Sequence, residues 1–161
     1  IMHGLENRVT RTVFGQKFKG YIDRLDSVKA GEIRVVDYKT GKVLENDENI
    51  NDDNAIDIAG MIFDPSCKER PKIALQFFIY DMLLQDDPRV EGSGIANSVY
   101  STANLFKNKP ETYKLCRKFY DVMMEHLEKL LEEIYDLEVP FRRTEDEKVC
   151  SFCDFKMICG R

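Results

Sequence analysis

The sequence predicts an α/β protein, and three observations support this prediction. Two strand-like runs, residues 18–28 and 33–39, flank a short turn that contains Gly31 and predict a β-hairpin. Residues 72–85 are apolar almost all round and have the length of a buried helix. Residues 111–137 carry apolar side chains on one stripe, with acids and lysines opposite, which is typical of a surface helix.

Length and composition favour one domain with a real core. The chain has 161 residues, 43% of them apolar, and we expect residues 1–161 to form a single domain. Because the chain opens on Ile1 directly into strand-like sequence, we expect it to be a C-terminal fragment of a larger protein. No run approaches the roughly 18 apolar residues of a membrane span, and no secretory leader is visible. We therefore expect a cytoplasmic protein with no membrane partner.

The net charge of −5 is unfavourable for a protein that binds DNA alone, because phosphate contacts require lysines and arginines. The acids are clustered, however, so a basic patch elsewhere on the surface remains an alternative. The net charge also favours a larger partner that delivers the nucleic acid. We expect the acidic run to be a solvated loop rather than an ion or partner site. Its members are Glu45, Asp47, Glu48, Asp52, Asp53 and Asp57.

The remaining elements follow in chain order. Residues 9–14 alternate weakly and predict an edge strand that turns through Gly15 into the hairpin, which makes a three-stranded antiparallel start. Residues 42–71 predict a long loop with an apolar island at 56–63. Residues 94–102 predict a further strand in the same sheet.

The hairpin carries the first candidate site. Side chains alternate across a strand, so Asp37 and Lys39 share one face. If the turn closes around Ala30, Asp23 lies opposite or diagonal to Asp37, roughly 5–8 Å away, where the two charges repel each other. Two converging carboxylates suit Mg²⁺ or Mn²⁺, and Lys39 would then lie beside the water that attacks a phosphate. Alternatively, these are ordinary surface charges at a strand end.

The predicted buried helix carries the second candidate site. Gln76 and Tyr80 are spaced i, i+4 and lie on one face of the helix. Alternatively, both side chains only satisfy hydrogen bonds inside the core. Neither histidine is a strong candidate, because His3 does not lie on a predicted helix and His126 lies on the apolar stripe, where we expect it to pack. That stripe comprises Leu115, Phe119, Val122, Met123, His126, Leu127, Leu130, Ile134 and Leu137.

The motifs G-Y-I-D-R, D-Y-K-T-G and Q-x-x-x-Y occur in one order along the chain, and together they resemble the PD-(D/E)XK nuclease superfamily, in particular its RecB-like branch. The resemblance implies a restriction-endonuclease-like fold, with a mixed central β-sheet flanked by helices. It also implies that Asp23, Asp37 and the backbone of Tyr38 bind the metal and that Lys39 is catalytic. Gln76 and Tyr80 would support the lysine and the DNA strand.

Three cysteines crowd the predicted tail, residues 139–161, in the pattern Cys150-x-x-Cys153-x5-Cys159. Close thiols in a cytosolic chain indicate a metal or an iron–sulfur cluster before disulfides. The pattern resembles the end of the [4Fe–4S] site of AddB-type helicase–nucleases, whose fourth cysteine lies far upstream. The resemblance implies a cluster in the full-length protein that is absent or lost in this fragment. Cys67 and Cys116 look isolated.

The predicted function is a Mg²⁺- or Mn²⁺-dependent DNA nuclease, an exonuclease domain of a helicase–nuclease that acts in double-strand-break repair and recombination. One alternative is a catalytically silent module of the same fold that binds DNA or acts as a scaffold. A third is an interaction domain in which only the cysteine tail matters, which would leave the hairpin acids and Q-x-x-x-Y unexplained.

Overall fold

The structure is a computed structural model that describes residues 1–40, 49–101, 111–140 and 142–160. The chain forms two compact units, Ile1–Glu128 and Lys129–Arg161. The elements, in chain order, are β1 (Met2–Val13), β2 (Gln16–Asp26), β3 (Glu32–Lys39), α1 (Ala55–Phe63), α2 (Lys72–Leu84), β4 (Gly94–Ser101), α3 (Arg117–Tyr135) and α4 (Glu147–Cys150).

The first unit is built on a four-stranded mixed sheet in the order β1-β2-β3-β4. The first three strands are antiparallel, which confirms the predicted start, and β4 runs parallel to β3. Gly15 and Gly31, both at φ +74°, make the two tight turns, because glycine enters the left-handed region without strain. Strand β1 begins at Met2 rather than at residue 9, because it pairs with β2 over its whole length.

The apolar island of the predicted loop is a helix, so the loop prediction for residues 56–63 is wrong. Ala55, Ala59 and Ile62 recur at helical spacing and form the buried face of α1. Asn54 Nδ2 donates to the Asn49 carbonyl 2.8 Å away, which closes the turn ahead of the helix. Three residues of the acidic run, Glu45, Asp47 and Glu48, lie outside the described residues, whereas Asp52, Asp53 and Asp57 are exposed.

Helix α2 is the buried helix that its composition predicted. It follows α1 in the connection that carries the chain from β3 to the parallel strand β4. A Cβ added at Gly20 would lie 2.7 Å from Leu83 Cδ1, so β2 and α2 approach closely where glycine leaves room. The buried residues of α2 are Ile73, Ala74, Phe77, Phe78, Tyr80, Met82, Leu83 and Leu84.

Helix α3 is shorter than predicted at both ends. It begins after residue 116 because Tyr113 pairs with Asn97 through two backbone hydrogen bonds of 2.7 Å, which holds that segment extended along β4. Its buried side chains are Phe119, Met123 and Leu127. The stripe therefore contributes to the core only in the first half of the helix. The later stripe residues Leu130, Ile134 and Leu137 are 39%, 44% and 97% exposed.

The second unit contains the end of α3, the short helix α4 and a series of turns. The side chain of Asp146 accepts a hydrogen bond from the Lys148 backbone N–H and caps α4. Arg143 Nη1 donates to the carbonyl of Cys159 over 2.8 Å. In the part of the chain that is described, no helix is long and apolar enough to span a bilayer.

Candidate active site at the end of strand β3

Four of the predicted site residues meet where β3 faces helix α2. Asp37 Oδ1 accepts hydrogen bonds from Gln76 Nε2 at 2.7 Å and from the Tyr80 hydroxyl at 2.8 Å. Lys39 Nζ donates to Gln76 Oε1 over 2.7 Å. Asp37 and Lys39 lie two residues apart on one strand face, and Gln76 and Tyr80 lie one turn apart on one helix face. The pair on the strand and the pair on the helix therefore face each other across the contact between β3 and α2.

Gln76 is the side chain that joins the cluster. Its amide nitrogen donates to Asp37 Oδ1 and to the Tyr80 oxygen at 2.7 Å each, while its amide oxygen accepts from Lys39. An amide side chain carries a donor and an acceptor on one rigid group, so it can donate to an acid and accept from an ammonium at the same time. Glutamine at this position therefore holds the acid and the lysine in a defined relative position.

The second oxygen of Asp37 has a different environment. Asp37 is only 4% exposed, and Oδ2 is a buried oxygen that accepts no hydrogen bond from the described residues. Lys39 Nζ lies 2.8 Å from it, so the contact is an ion pair whose geometry is not that of a hydrogen bond. A buried carboxylate oxygen without a donor is unfavourable unless a cation compensates for it. In this structure the Lys39 ammonium supplies that positive charge to Oδ2, and a bound cation would share the oxygen with it.

Asp23 approaches the same region from β2. Its Oδ2 accepts a hydrogen bond of 2.9 Å from the backbone N–H of Tyr38, the residue between Asp37 and Lys39. The pairing of Arg24 with Val36 also sets Asp23 level with Asp37 along the two strands. The hairpin therefore brings both acids to the same end of the sheet, and the Asp23 side chain is hydrogen-bonded to the strand that carries Asp37.

The pKa of the Tyr80 phenol depends on burial and on the two acids. Burial raises the pKa of the Tyr80 phenol, the Asp37 charge and hydrogen bond raise it further, and the Asp23 charge adds to the same effect. A raised pKa keeps the hydroxyl protonated, so Tyr80 remains a donor to Asp37 at any ordinary pH. Asp37 is the main source of this charge effect on the phenol, and Asp23 is a smaller one.

The residues present fit a divalent cation. Asp37 Oδ2 accepts no hydrogen bond from the described residues and is ion-paired with Lys39, and carboxylate oxygens are the ligands that Mg²⁺ and Mn²⁺ prefer. Across the described ranges, no group of three or more His, Cys, Asp or Glu side chains could hold a metal ion. Two carboxylates are compatible with Mg²⁺, which keeps several waters and takes one or two protein carboxylates with substrate phosphate.

Two other polar clusters were missed at the sequence level. Asp26, buried on β2, accepts two hydrogen bonds of 2.8 Å from Arg34 and lies 2.5 Å from Arg24 Nη2. The hydrogen bonds from Arg34, assisted by Arg24, lower the pKa of Asp26 despite its burial. Asp26 therefore stabilises the hairpin and is not available to a metal. Alternation along β2 gave no signal of this burial, because Arg34, which makes both hydrogen bonds to Asp26, lies on the neighbouring strand β3.

The second missed cluster is Asp81 with Asn97, whose Nδ2 donates to Asp81 Oδ1 over 2.8 Å. Burial raises the pKa of the Asp81 carboxyl to about 7. The only signal in the sequence is an acid inside an otherwise apolar helix, and that signal does not identify its partner.

Each histidine and cysteine has its own local environment. His3 lies on β1 and shares a hydrogen bond of 2.5 Å with the Ser27 hydroxyl. His126 stacks on Phe63 with ring centroids 4.9 Å apart, as its place on the stripe predicted. Cys116 precedes α3 and does not lie on it, and Cys67 is free. In the second unit Cys150 and Cys153 are half-buried and Cys159 is exposed, all three with free thiols.

Comparison with known proteins places this geometry in context. The family model of the PD-(D/E)XK nuclease superfamily matches residues 2–160, which is nearly the whole chain. A search among curated proteins finds no significant match.

Proposed function

The chain belongs to the PD-(D/E)XK nuclease superfamily, and from that premise we propose that it is a metal-dependent nuclease that hydrolyses DNA phosphodiester bonds. The observation that carries this proposal is the buried Asp37, with one oxygen held by Gln76 and Tyr80 and the other beside Lys39. Asp26, by contrast, has both oxygens hydrogen-bonded to Arg34.

In this proposal Asp23, Asp37 and the backbone of Tyr38 hold Mg²⁺ or Mn²⁺. A bound divalent ion supplies Lewis-acid activation of water and neutralises charge on the phosphate. Lys39 lies within 2.8 Å of Asp37 Oδ2, so its ammonium orients the attacking water and balances charge that builds up on the phosphate. Gln76 fixes the ammonium, and Tyr80 holds the opposite oxygen of Asp37.

The substrate and context follow from the RecB-like motifs. We propose an exonuclease that degrades DNA from its ends, attached to a helicase that delivers the strand, in the repair and recombination of double-strand breaks. The net charge of −5 favours delivery by such a partner over independent DNA binding. The location that we propose is the cytoplasm, where the five free cysteines would stay reduced. End-labelled linear DNA should be degraded while closed circular DNA survives, and cutting of circles would contradict exonucleolytic action.

The central test is the removal of the ammonium group. Lys39→Ala should abolish cleavage of linear DNA in Mn²⁺ while the far-UV circular dichroism spectrum stays that of the wild type, because the backbone makes the pairing of β3 with β4 at this position. The matched control is Lys17→Ala, which removes an exposed lysine near the start of the partner strand β2 and should cleave normally. A Lys39→Ala protein that cleaves at the wild-type rate would refute the assignment.

Metal binding is tested separately from cleavage. Mn²⁺ should raise the melting temperature of the wild type, because a cation bound only by the folded state stabilises it by mass action. Asp37→Asn should remove this effect, whereas Asp57→Asn, which neutralises an exposed acid of α1, should keep it. If the Asp37→Asn protein gains as much stability from Mn²⁺ as the wild type, the ion binds elsewhere. A domain that binds Mn²⁺ but never cleaves DNA would favour the silent-module alternative.

We also propose that Cys150, Cys153 and Cys159 ligate a [4Fe–4S] cluster in the full-length protein together with an upstream cysteine. Three thiolates cannot complete the four-ligand set that such clusters require, so the present chain alone should not retain iron. Iron and sulfide assays on the full-length protein purified without oxygen test this proposal. Iron at background level would count against the cluster.

A further inference from the structure

The contact between α2 and β4 contains a polar pair that the proposed chemistry does not use. Asn97 is completely buried on β4, and its Nδ2 donates to Asp81 Oδ1 over 2.8 Å. The Oδ1 atom of Asn97 is buried and receives no hydrogen bond from any described residue. Asp81 is only partly exposed, and protein atoms surround its carboxyl densely. A buried amide oxygen without a donor requires an explanation.

A protonated Asp81 would supply the missing donor. A neutral carboxylic acid and an amide form a closed pair of two hydrogen bonds: the amide N–H to one acid oxygen, and the acid O–H to the amide oxygen. The first of these bonds is already present. Burial raises the pKa of Asp81 to about 7, so the neutral form is accessible well above the usual range of an aspartate.

The surroundings of Asp81 supply no competing charge. Burial and the hydrogen bond from Asn97 are the causes of its shifted pKa, and no charged group of the described residues contributes. On the neighbouring segment, the backbone of Tyr113 pairs with Asn97, and its hydroxyl donates to Glu111 Oε2 over 3.0 Å. Lys114 of the same segment is paired with Glu32. On α2 itself, Tyr80 is bonded to Asp37 and remains protonated.

The position of Asp81 on α2 connects it to the candidate active site. Gln76 and Tyr80 form one i, i+4 stripe that faces β3, and Phe77 and Asp81 form the adjacent stripe that faces β4. The ring of Phe77 stacks on Tyr113 with centroids 6.2 Å apart, and Tyr113 pairs with Asn97 of β4, so this stripe of α2 faces β4. Any rotation of α2 that separates Asp81 from Asn97 would also move Gln76 and Tyr80 away from Asp37.

We propose that Asp81 is protonated in the folded state and forms a closed acid–amide pair with Asn97, a pH-sensitive latch that sets the rotation of α2 against the sheet. Asp81 is thereby a positioning residue for Gln76 and Tyr80. The effect on cleavage rests on the proposed function, whereas the latch does not.

The test compares thermal and urea unfolding of the wild type and Asp81→Asn between pH 4.5 and 8.5. A carboxyl whose pKa is higher in the folded state than in the unfolded state stabilises the fold at low pH, and this stabilisation is lost as the pH rises to the folded pKa. The unfolding constant of the wild type, relative to that of Asp81→Asn, should rise by up to about tenfold per pH unit below pH 7 and then level off. Asp57→Asn, which neutralises an exposed acid on α1, should follow the wild type.

A local measurement makes the test independent of how well the variant folds. The carboxyl carbon of Asp81 in the wild-type protein, followed by NMR, should titrate with a midpoint near pH 7. A midpoint below pH 5, or equal pH dependence of unfolding in the wild type and Asp81→Asn, would overturn the latch. Neither measurement requires cleavage, so a protein that passes both and cuts no DNA would refute the proposed function and leave the latch standing.

Discussion

Replacement of Gln76 by methionine isolates the residue that joins the cluster. Methionine has nearly the same length and keeps the packing against the helix, but it can replace none of the three hydrogen bonds of 2.7 Å to Lys39, Asp37 and Tyr80. Hydrogen bonds to charged groups contribute about 1.5–3 kcal/mol each when fully buried. Because Gln76 is half-buried and water can replace part of what is lost, we expect the total to be about 2 kcal/mol.

This magnitude sets two measurable outcomes. For a chain of this size, about 2 kcal/mol lowers the melting temperature by roughly 4–8 °C. If the same energy is lost from the positioning of Lys39 in the transition state, cleavage slows by about 30-fold. The rate should be measured at saturating Mn²⁺ and at least 15 °C below the melting temperature, so that unfolding does not contribute to the loss.

Gln85→Met, at the exposed end of the same helix, is the matched control and should change neither quantity. Two results would refute the reasoning. A Gln76→Met protein with wild-type cleavage would show that the amide does not position the lysine. A protein that loses stability but keeps its rate at low temperature would limit Gln76 to a structural role.

Two further predictions concern the framework of the site. Asp26→Asn leaves Arg34 and Arg24 without their carboxylate and should destabilise the fold by on the order of 3 kcal/mol in urea unfolding. Because the pKa of Asp26 is lowered in the folded state, its contribution is present above about pH 4 and is lost at lower pH, so the variant should lack this acid-dependent loss. Equal acid dependence in both proteins would contradict the ion pair. Phe119→Ala empties a fully buried position of α3 and should destabilise the protein by about 3–5 kcal/mol, measured by circular dichroism, whereas Ile134→Ala, at an exposed stripe position, should change stability little.

Much of the fold could be predicted because its signals are local. Strand alternation, turn glycines and the apolar helix α2 depend on neighbours in the sequence, and these elements lie where the pattern predicted them, except that β1 begins earlier, at Met2. Helix α1 was missed because its buried face consists mainly of small side chains, Ala55 and Ala59, between Asn-rich and Asp-rich sequence. The residues predicted as the first turns of α3 adopt an extended conformation because Tyr113 pairs with Asn97. That contact joins residues distant in sequence, so no local pattern predicts it.

By itself the sequence determined which residue types were available to the candidate site and the spacing that places Asp37 beside Lys39 and Gln76 beside Tyr80. Periodicity is a property of the strand and of the helix, so these pairs follow without knowledge of the rest of the chain. Only the tertiary structure decided that the two pairs face each other, that Asp26 is committed to arginines, and that Asp37 keeps one oxygen without a donor. Those facts depend on how α2 packs on the sheet, and packing joins residues that are distant in sequence.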